Sequence, residues 1–337
     1  MTTLVTGATG FVGSHVVEEL LGLGEPVRAL VRDPNKADRW RQRGVEVVVA
    51  DVTDPQGLRA AVRDVGVIHH CAAAVGHYTK QQFYAVNLEG FRNLLEAVRH
   101  AGQPRVVFLS SINVLGTRNL DPATEETPCR RSNDPAADVK IEAEQLALEY
   151  SQRHGLDLVI LRPGFIYGPG DQRNLPKLVE AIRRGTFRYI GSRNHVVPIV
   201  HVSDVVQAMV RAARVAAARG RIYNITDGSR TTIGELADHI AGLLGCPPPR
   251  KTIGYALPFA ACVMFEVLTR LKLYRGVSPI QRPALRFLGT SRYVDIRRAR
   301  TDLGYTPLVG YREGIAATLR WLEEQDHGRT AVASPVV

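Results

Sequence analysis

Gly7, Gly10 and Gly13 stand three residues apart in "VTGATGFVGSHVV", between a short aliphatic run and the start of a helix-like pattern. That spacing suits an anion. Glycine admits a positive φ and lets a pyrophosphate approach with no Cβ in the way. A helix N-terminus beyond the turn offers unpaired N–H groups. The turn therefore nominates Gly7, Thr9, Gly10, Phe11, Val12 and Gly13 as dinucleotide contacts. Two further sites bear on which dinucleotide. Arg32, followed by Asp33 and with Lys36 nearby, ends the next aliphatic run. An arginine there suits the extra phosphate of NADP, and an acid suits the ribose hydroxyls of NAD. NADP is the first choice on Arg32 and NAD the second. Asp51 and Val52 fit an adenine edge, carboxylate to amine and valine to ring. The same residues also fit a solvent-facing strand end and an ordinary turn.

These residues need a scaffold of strands and helices in alternation. Aliphatic runs at 2–6, 27–32, 45–50, 65–73, 105–111 and 156–163 read as six strands, with amphipathic stretches between them and a long helix from Phe83 to His100. Near-continuous aliphatic strands separated by helices predict a parallel sheet covered on both faces. The expected fold class is α/β, a doubly wound, Rossmann-type parallel sheet with ligands at the C-terminal strand ends. Beyond Pro163 the alternation gives way to helices at 174–184, 203–218 and 231–244, with short strands at 196–200 and 221–226. Ser203 and Thr231 are the candidate N-caps. The expected organisation is a dinucleotide-binding core at 1–165, a mixed substrate region at 166–325 interleaved with it, and a disordered tail at 326–337.

The 337 residues suit a core with a smaller attached region, and 45% hydrophobic with 23% charged is an ordinary globular balance. The net charge of +10 is spread over helices. It forms no basic stripe interleaved with aromatics, so no nucleic-acid partner is expected. Cys71, Cys129, Cys246 and Cys262 have neither metal-ligand nor redox spacing, which predicts reduced thiols, no metal and a cytoplasmic setting. The strand that starts at Thr2 leaves no room for a signal peptide in this sequence.

Several stretches resemble, in order, the motifs of the extended short-chain dehydrogenase/reductase family: TGATGFVG (6–13), ADV (50–52), HHCAA (69–73), VNLEG (86–90), LSSINVLG (109–116), VKIEAE (139–144), LRPGFIYGPGD (161–171), VHVSDVV (200–206) and RYVDIRRARTDLGYTP (292–307). Within it, ALVRDP and the hydrophobic C-terminal region look most like the hydroxysteroid dehydrogenase and dihydroflavonol reductase branches. The resemblance implies cofactor contacts from Cys71, Ala72, Ala73, Asn87, Lys140, Pro163 and Gly164, and a homodimer formed through helices at 80–100 and 136–153. It also implies a catalytic set. Ser111 would hold the substrate oxygen. Lys140 would hold the nicotinamide ribose and lower the pKa of a tyrosine four residues earlier. That position is Ala136, and a methyl group neither donates nor accepts a proton. Three accounts stay open: an engineered alanine, a natural one with the proton supplied by water or substrate, or a reaction that needs no such acid. His201 belongs to a packing motif in the family pattern.

The stretch "YALPFAACVMFEVLTRLKLYRG" (255–276) is too interrupted to span a membrane, since spanning takes roughly twenty apolar residues. It reads as the lid of a hydrophobic pocket, with peripheral contact to a membrane surface as the other reading. The resulting expectation is an NADP(H)-dependent reductase or dehydrogenase. It would interconvert a carbonyl and a secondary alcohol on a steroid-, polyketide- or flavonoid-like molecule. The alternatives are a cofactor-holding isomerase, lyase or cyclase without net hydride transfer, or a non-catalytic dinucleotide sensor.

Overall fold

The computed structural model describes residues 1–332 except 77, 117, 272 and 274–281. Five strands come first: β1 (Thr2–Thr6), β2 (Val27–Val31), β3 (Glu46–Val49), β4 (Val65–His70) and β5 (Arg105–Leu109). Eight follow: β6 (Leu120–Ala123), β7 (Leu158–Pro163), β8 (Phe165–Tyr167), β9 (Tyr189–Ile190), β10 (Ile199–His201), β11 (Ile222–Ile225), β12 (Thr252–Ile253) and β13 (Arg292–Val294). Seven of them form one sheet in the order β11-β7-β5-β4-β1-β2-β3, with every neighbouring pair parallel. The other six form three two-stranded pieces, β10-β8, β12-β9 and β13-β6. The fold is thus a Rossmann-type parallel α/β sheet with small C-terminal sheets.

Why these runs become central strands is visible in their burial. Leu4, Val5, Ala29, Val31, Val106, Val107, Phe108, Val159 and Leu161 have no accessible surface. A strand buried on both faces must be apolar at consecutive positions, whereas a sheet with one wet face would alternate. Val5, Val31 and Val107 pack on one face with the helix Phe11–Gly22, and Leu4, Val106 and Phe108 pack on the other with the helix Gly90–Arg99. The seventh strand, β11, comes from the short run at 221–226, so the sheet draws a strand from beyond residue 165.

Three local expectations are corrected. The long helix from Phe83 is broken. A short helix, Lys80–Tyr84, passes through a π-helical turn at Ala85–Glu89 into Gly90–Arg99. The cap of Val202–Arg214 is His201, whose side chain accepts from the Ser203 amide, so Ser203 lies inside the helix. The cap of Ile233–Leu243 is Thr232 rather than Thr231, in a reciprocal capping box with Glu235. Thr231 instead meets Ser229 Oγ at 2.8 Å. The last helix, Tyr311–Val332, carries the chain into the stretch read as a tail, and 333–337 lie outside the described residues.

The basic run at 39–43 is tied down: Arg39 and Arg43 both reach Glu18, and Arg39 lies 4.5 Å over the Trp40 ring. In the stretch 255–276 a helix runs from Ala256 to Arg270, and Leu257 and Met264 are 70% and 51% exposed on it. Among the described residues no helix is long and apolar enough to cross a membrane.

Candidate active site

The glycine turn links β1 to the first helix. Gly7 has φ +69°, and the Gly10 amide donates to its carbonyl at 2.8 Å. A Cβ on Gly7 would stand 2.7 Å from the Ala72 amide nitrogen, and one on Gly13 would stand 2.2 Å from the Gly7 carbonyl oxygen. Both positions therefore require glycine, one for its backbone angle and contact with the β4 end, the other for close helix packing. Thr9 and Gly10 are exposed on top of the turn, and Val12 faces the core. The Phe11 ring packs edge-on against His15 at 5.6 Å. The turn is a cradle that a dinucleotide pyrophosphate fits, with the helix N-terminus behind it.

Residues 71–74 after β4 form the next wall. Cys71 and Ala72 are held by β1, their amides donating to the Thr6 carbonyl and to Thr6 Oγ1. Asn87, on the π-helical turn, accepts from the Ala74 amide at 2.6 Å and donates to its carbonyl at 3.2 Å. Its role in the structure is thus to clamp the wall that includes Ala73. Burial pushes the Cys71 thiol up to about 12, the nearby Lys140 pulling it down by less, so it offers no thiolate. Across the sheet, Val52 packs against Gly90 and Asp51 accepts from the Thr53 amide and hydroxyl. Arg32 Nε lies 3.8 Å from Asp51 Oδ2, an exposed contact. On the far side, Pro163 ends β7 and is buried, and the Gly164 amide donates to the Ile225 carbonyl.

The catalytic candidates converge at the end of β5. Ser111 caps the 3-10 turn Ile112–Leu115, its Oγ accepting from the Asn113 amide at 3.2 Å. The hydroxyl proton therefore remains available. Lys140 Nζ donates to the Leu109 carbonyl at 2.8 Å, two residues before Ser111, and lies 4.6 Å over the Phe108 ring. Burial lowers the Lys140 ammonium to about 8, partly opposed by Glu144 and Cys71. Ala136 lies in the first turn of the helix Pro135–His154, where the Asp134 side chain caps its amide at 3.1 Å. Four residues advance a helix by about 6 Å, so Ala136 and Lys140 share one face a turn apart. Among the described residues, the contacts of the tyrosines singled out from the sequence lie elsewhere. Tyr84 donates to Glu142 at 2.8 Å, and Tyr167 is buried edge-on against His201 at 5.5 Å.

Two features were not singled out from the sequence. Glu144 and Arg162 form a buried ion pair at 2.6 Å beneath the site, and Ser110 donates to Glu144 at 2.5 Å. The KIEAE and LRP motifs contain both charges, but only the sheet brings them together. The other is Arg292, buried beside Asn113. Among the described residues, no group of three or more His, Cys, Asp or Glu is placed to hold a metal.

Residues 3–226 match the model of the NAD dependent epimerase/dehydratase family, and the chain belongs to that family. It is an NAD(P)-dependent oxidoreductase-type enzyme of the extended short-chain dehydrogenase/reductase and epimerase/dehydratase superfamily. MoeE5, solved in complex with UDP-glucose and NAD, is 28% identical with a TM-score of 0.75, over 96% of this chain and 99% of that one. A second MoeE5 structure holds UDP-glucuronic acid and NAD. The Thermus thermophilus UDP-glucose 4-epimerase complex with NAD is 26% identical with a TM-score of 0.74, over 96% and 99%. In sequence, a 3-beta-hydroxysteroid dehydrogenase of Mycolicibacterium neoaurum is 30% identical, over 94% of this chain and 90% of that one.

These findings correct four expectations. The narrowing to hydroxysteroid dehydrogenase and dihydroflavonol reductase branches gives way to the epimerase/dehydratase family. Structures solved with nucleotide sugars match almost the whole chain, and a steroid enzyme at comparable identity does not single out a branch. The NADP(H)-linked carbonyl reductase is displaced by relatives that hold NAD with a sugar nucleotide. The hydrophobic small-molecule partner is displaced by the same complexes, and the helix read as its lid exposes Leu257 and Met264. NADP as first choice is corrected to NAD. The physical reason is the acid around Arg32. Its guanidinium leans towards Asp51, and the Asp33 carboxylate follows it directly, capping the next turn. Two carboxylates there disfavour the extra phosphate of NADP.

Proposed function

We propose that this chain holds NAD and transforms a nucleotide sugar without net hydride transfer, as an isomerase or lyase of the epimerase/dehydratase kind. The observation that carries the reading is the site at the end of β5. Ser111 and Lys140 are assembled next to a cradle that only glycine can form. The sugar nucleotides in MoeE5 support the substrate class.

Gly7, Gly10 and Gly13 would hold the pyrophosphate, Asp51 and Val52 the adenine side, and Lys140 the nicotinamide ribose. When bound, NAD supplies a hydride acceptor that returns the hydride within the same turnover. Ser111, whose Oγ accepts from the Asn113 amide, would donate its hydroxyl proton to the substrate oxygen and orient it. Lys140, charged below about pH 8, favours negative charge developing on that oxygen. Proton transfer is the weak step, because Ala136 has no group to perform it, and the proton passes through Ser111 or water. Ala136 also favours a second reading, a dinucleotide-binding protein that converts nothing. A cytoplasmic location, in keeping with cysteines that form no disulfide among the described residues, and pairing through helices 80–100 and 136–153 belong to the same proposal.

The test is incubation of the full chain with UDP-glucose, UDP-glucuronic acid and dTDP-glucose, with NAD or NADP, and product identification by NMR and mass. The proposal expects an isomerised or dehydrated sugar nucleotide, formed with NAD. Binding of NAD and sugar nucleotide with no product over days would leave the binding-only reading standing instead.

A further inference from the structure

Arg292 lies in β13, which pairs with β6 behind the 3-10 turn that Ser111 caps. Its residue exposure is 2%. Among the described residues, its only side-chain partner is Asn113 Oδ1, at 3.5 Å from Nη1, a weak contact, and its buried Nε has no partner. Among the described residues no carboxylate pairs with it. Desolvation alone acts on it and lowers the guanidinium to about 10, still charged at neutral pH. The contrast with Arg162 is direct: that guanidinium is as deeply buried, and Glu144 neutralises it at 2.6 Å.

A buried charge without a counter-ion is among the costliest arrangements in a fold, and pairing is the usual remedy. Among the described residues the chain does not supply that remedy, and a bound anion would. Arginine presents a planar fork matched to carboxylate or phosphate. The location narrows the choice. Asn113 is two residues from Ser111 on a 3-10 turn, an advance of about 4 Å, so an anion bridging Arg292 and Asn113 lies near the oxygen that Ser111 holds. In a sugar nucleotide the pyrophosphate hangs from the anomeric carbon, across the sugar ring from a reacting C4, whereas the carboxylate of a uronic acid is on the carbon next to C4 on the C5 side.

We propose that Arg292 and Asn113 form an anion subsite beside Ser111, and that it selects substrates with a carboxylate on the reacting portion, as in a uronic acid. The inference deepens the nucleotide-sugar reading and rests on it for the identity of the remainder of the substrate. Arg292 is a specificity residue here. It moves no proton, and the carboxylate stays intact.

The experiment uses the full, NAD-loaded chain and its Arg292→Gln variant, titrated calorimetrically with UDP-glucuronic acid, UDP-glucose and UDP, and separately with free D-glucuronate and inorganic phosphate. UDP-glucuronic acid should bind the native chain at least tenfold more tightly than UDP-glucose. In Arg292→Gln the ratio should collapse to within twofold, with UDP affinity unchanged. Equal weakening of UDP and both sugar nucleotides would assign Arg292 to the pyrophosphate and overturn the proposal. So would phosphate engaging Arg292 in preference to glucuronate. If no uridine nucleotide binds but free glucuronate does, in an Arg292-dependent way, the nucleotide-sugar reading falls and the subsite stands. If glucuronate is ignored too, the subsite falls. Folding gives an independent check through Arg292→Met, which removes the unpaired charge at similar volume. Without ligand it should melt at or above the native chain. A clear fall would make Arg292 a structural residue and contradict the proposal.

Discussion

Restoring a phenol at position 136 should raise the rate of the proposed conversion by a factor of about a hundred to ten thousand, the usual worth of a positioned general acid or base. Ala136→Tyr is a mild perturbation of the fold. Position 136 is half-buried in the first turn of its helix, and the Asp134 cap binds the backbone amide, which the substitution leaves in place. Four residues on, the Lys140 ammonium is anchored to the Leu109 carbonyl. At about 6 Å and an effective dielectric near 20, that charge would stabilise a phenolate by about 3 kcal/mol, roughly two pK units. A tyrosine that ordinarily titrates near 10 would then titrate near 8, close enough to neutrality to exchange a proton with a substrate hydroxyl. The assay is initial-rate conversion of a sugar nucleotide in the presence of NAD, with native and Ala136→Tyr chains side by side and pH varied from 6 to 10. The variant should show the faster rate and an apparent pKa near 8. An unchanged rate, with unchanged NAD affinity, would refute the reasoning that proton transfer at this position limits the chemistry.

Three other outcomes follow from the same geometry. Lys140 has a folded-state pKa near 8 against 10.5 for the free side chain, so the unfolded chain binds more protons between those values. Its contribution to stability is therefore complete above about 10.5 and is lost as the pH falls through 8. Relative to Lys140→Met, the native chain should gain at most about 3 kcal/mol over that window, less because the side chain is partly exposed, as read by urea unfolding at each pH. Gly13→Ala places a methyl 2.2 Å from the Gly7 carbonyl oxygen; the turn must open, with a loss of about 1–3 kcal/mol of stability and at least a tenfold loss in NAD affinity by calorimetry. Glu144→Ala strands the buried Arg162 and should cost about 3–5 kcal/mol in urea unfolding, whereas Glu144→Leu combined with Arg162→Met should recover much of that loss.

The parallel core was legible because its strands are buried on both faces, so that runs such as VVF at 106–108 carry their own signature. Its seventh strand was harder to place. The run at 221–226 reads as a strand, but its neighbour β7 lies some sixty residues earlier, and local pattern says nothing of that pairing. The helix caps were off by one or two residues because neighbouring residues can all cap: the His201 ring accepts from the Ser203 amide, and Thr232 has Glu235 three residues on to complete a capping box. In the site, the glycine turn, Ser111 and Lys140 are local motifs and were visible. Arg292 was not, because a guanidinium in a basic chain is unremarkable until the absence of a partner around it is seen. The cofactor expectation failed for a related reason. Arg32 was weighed as a strand-end charge, while Asp51, nineteen residues later in the chain, comes within 3.8 Å of it only through the β2–β3 pairing.

The central claim is a hydride that leaves and returns to the same substrate. The most direct measurement follows nicotinamide absorbance and sugar-nucleotide product together, with a catalytic amount of NAD and a large excess of UDP-glucuronic acid. The account predicts many product molecules per NAD with no net change in absorbance. NADH accumulating in step with product, or a requirement for stoichiometric NADPH, would contradict it.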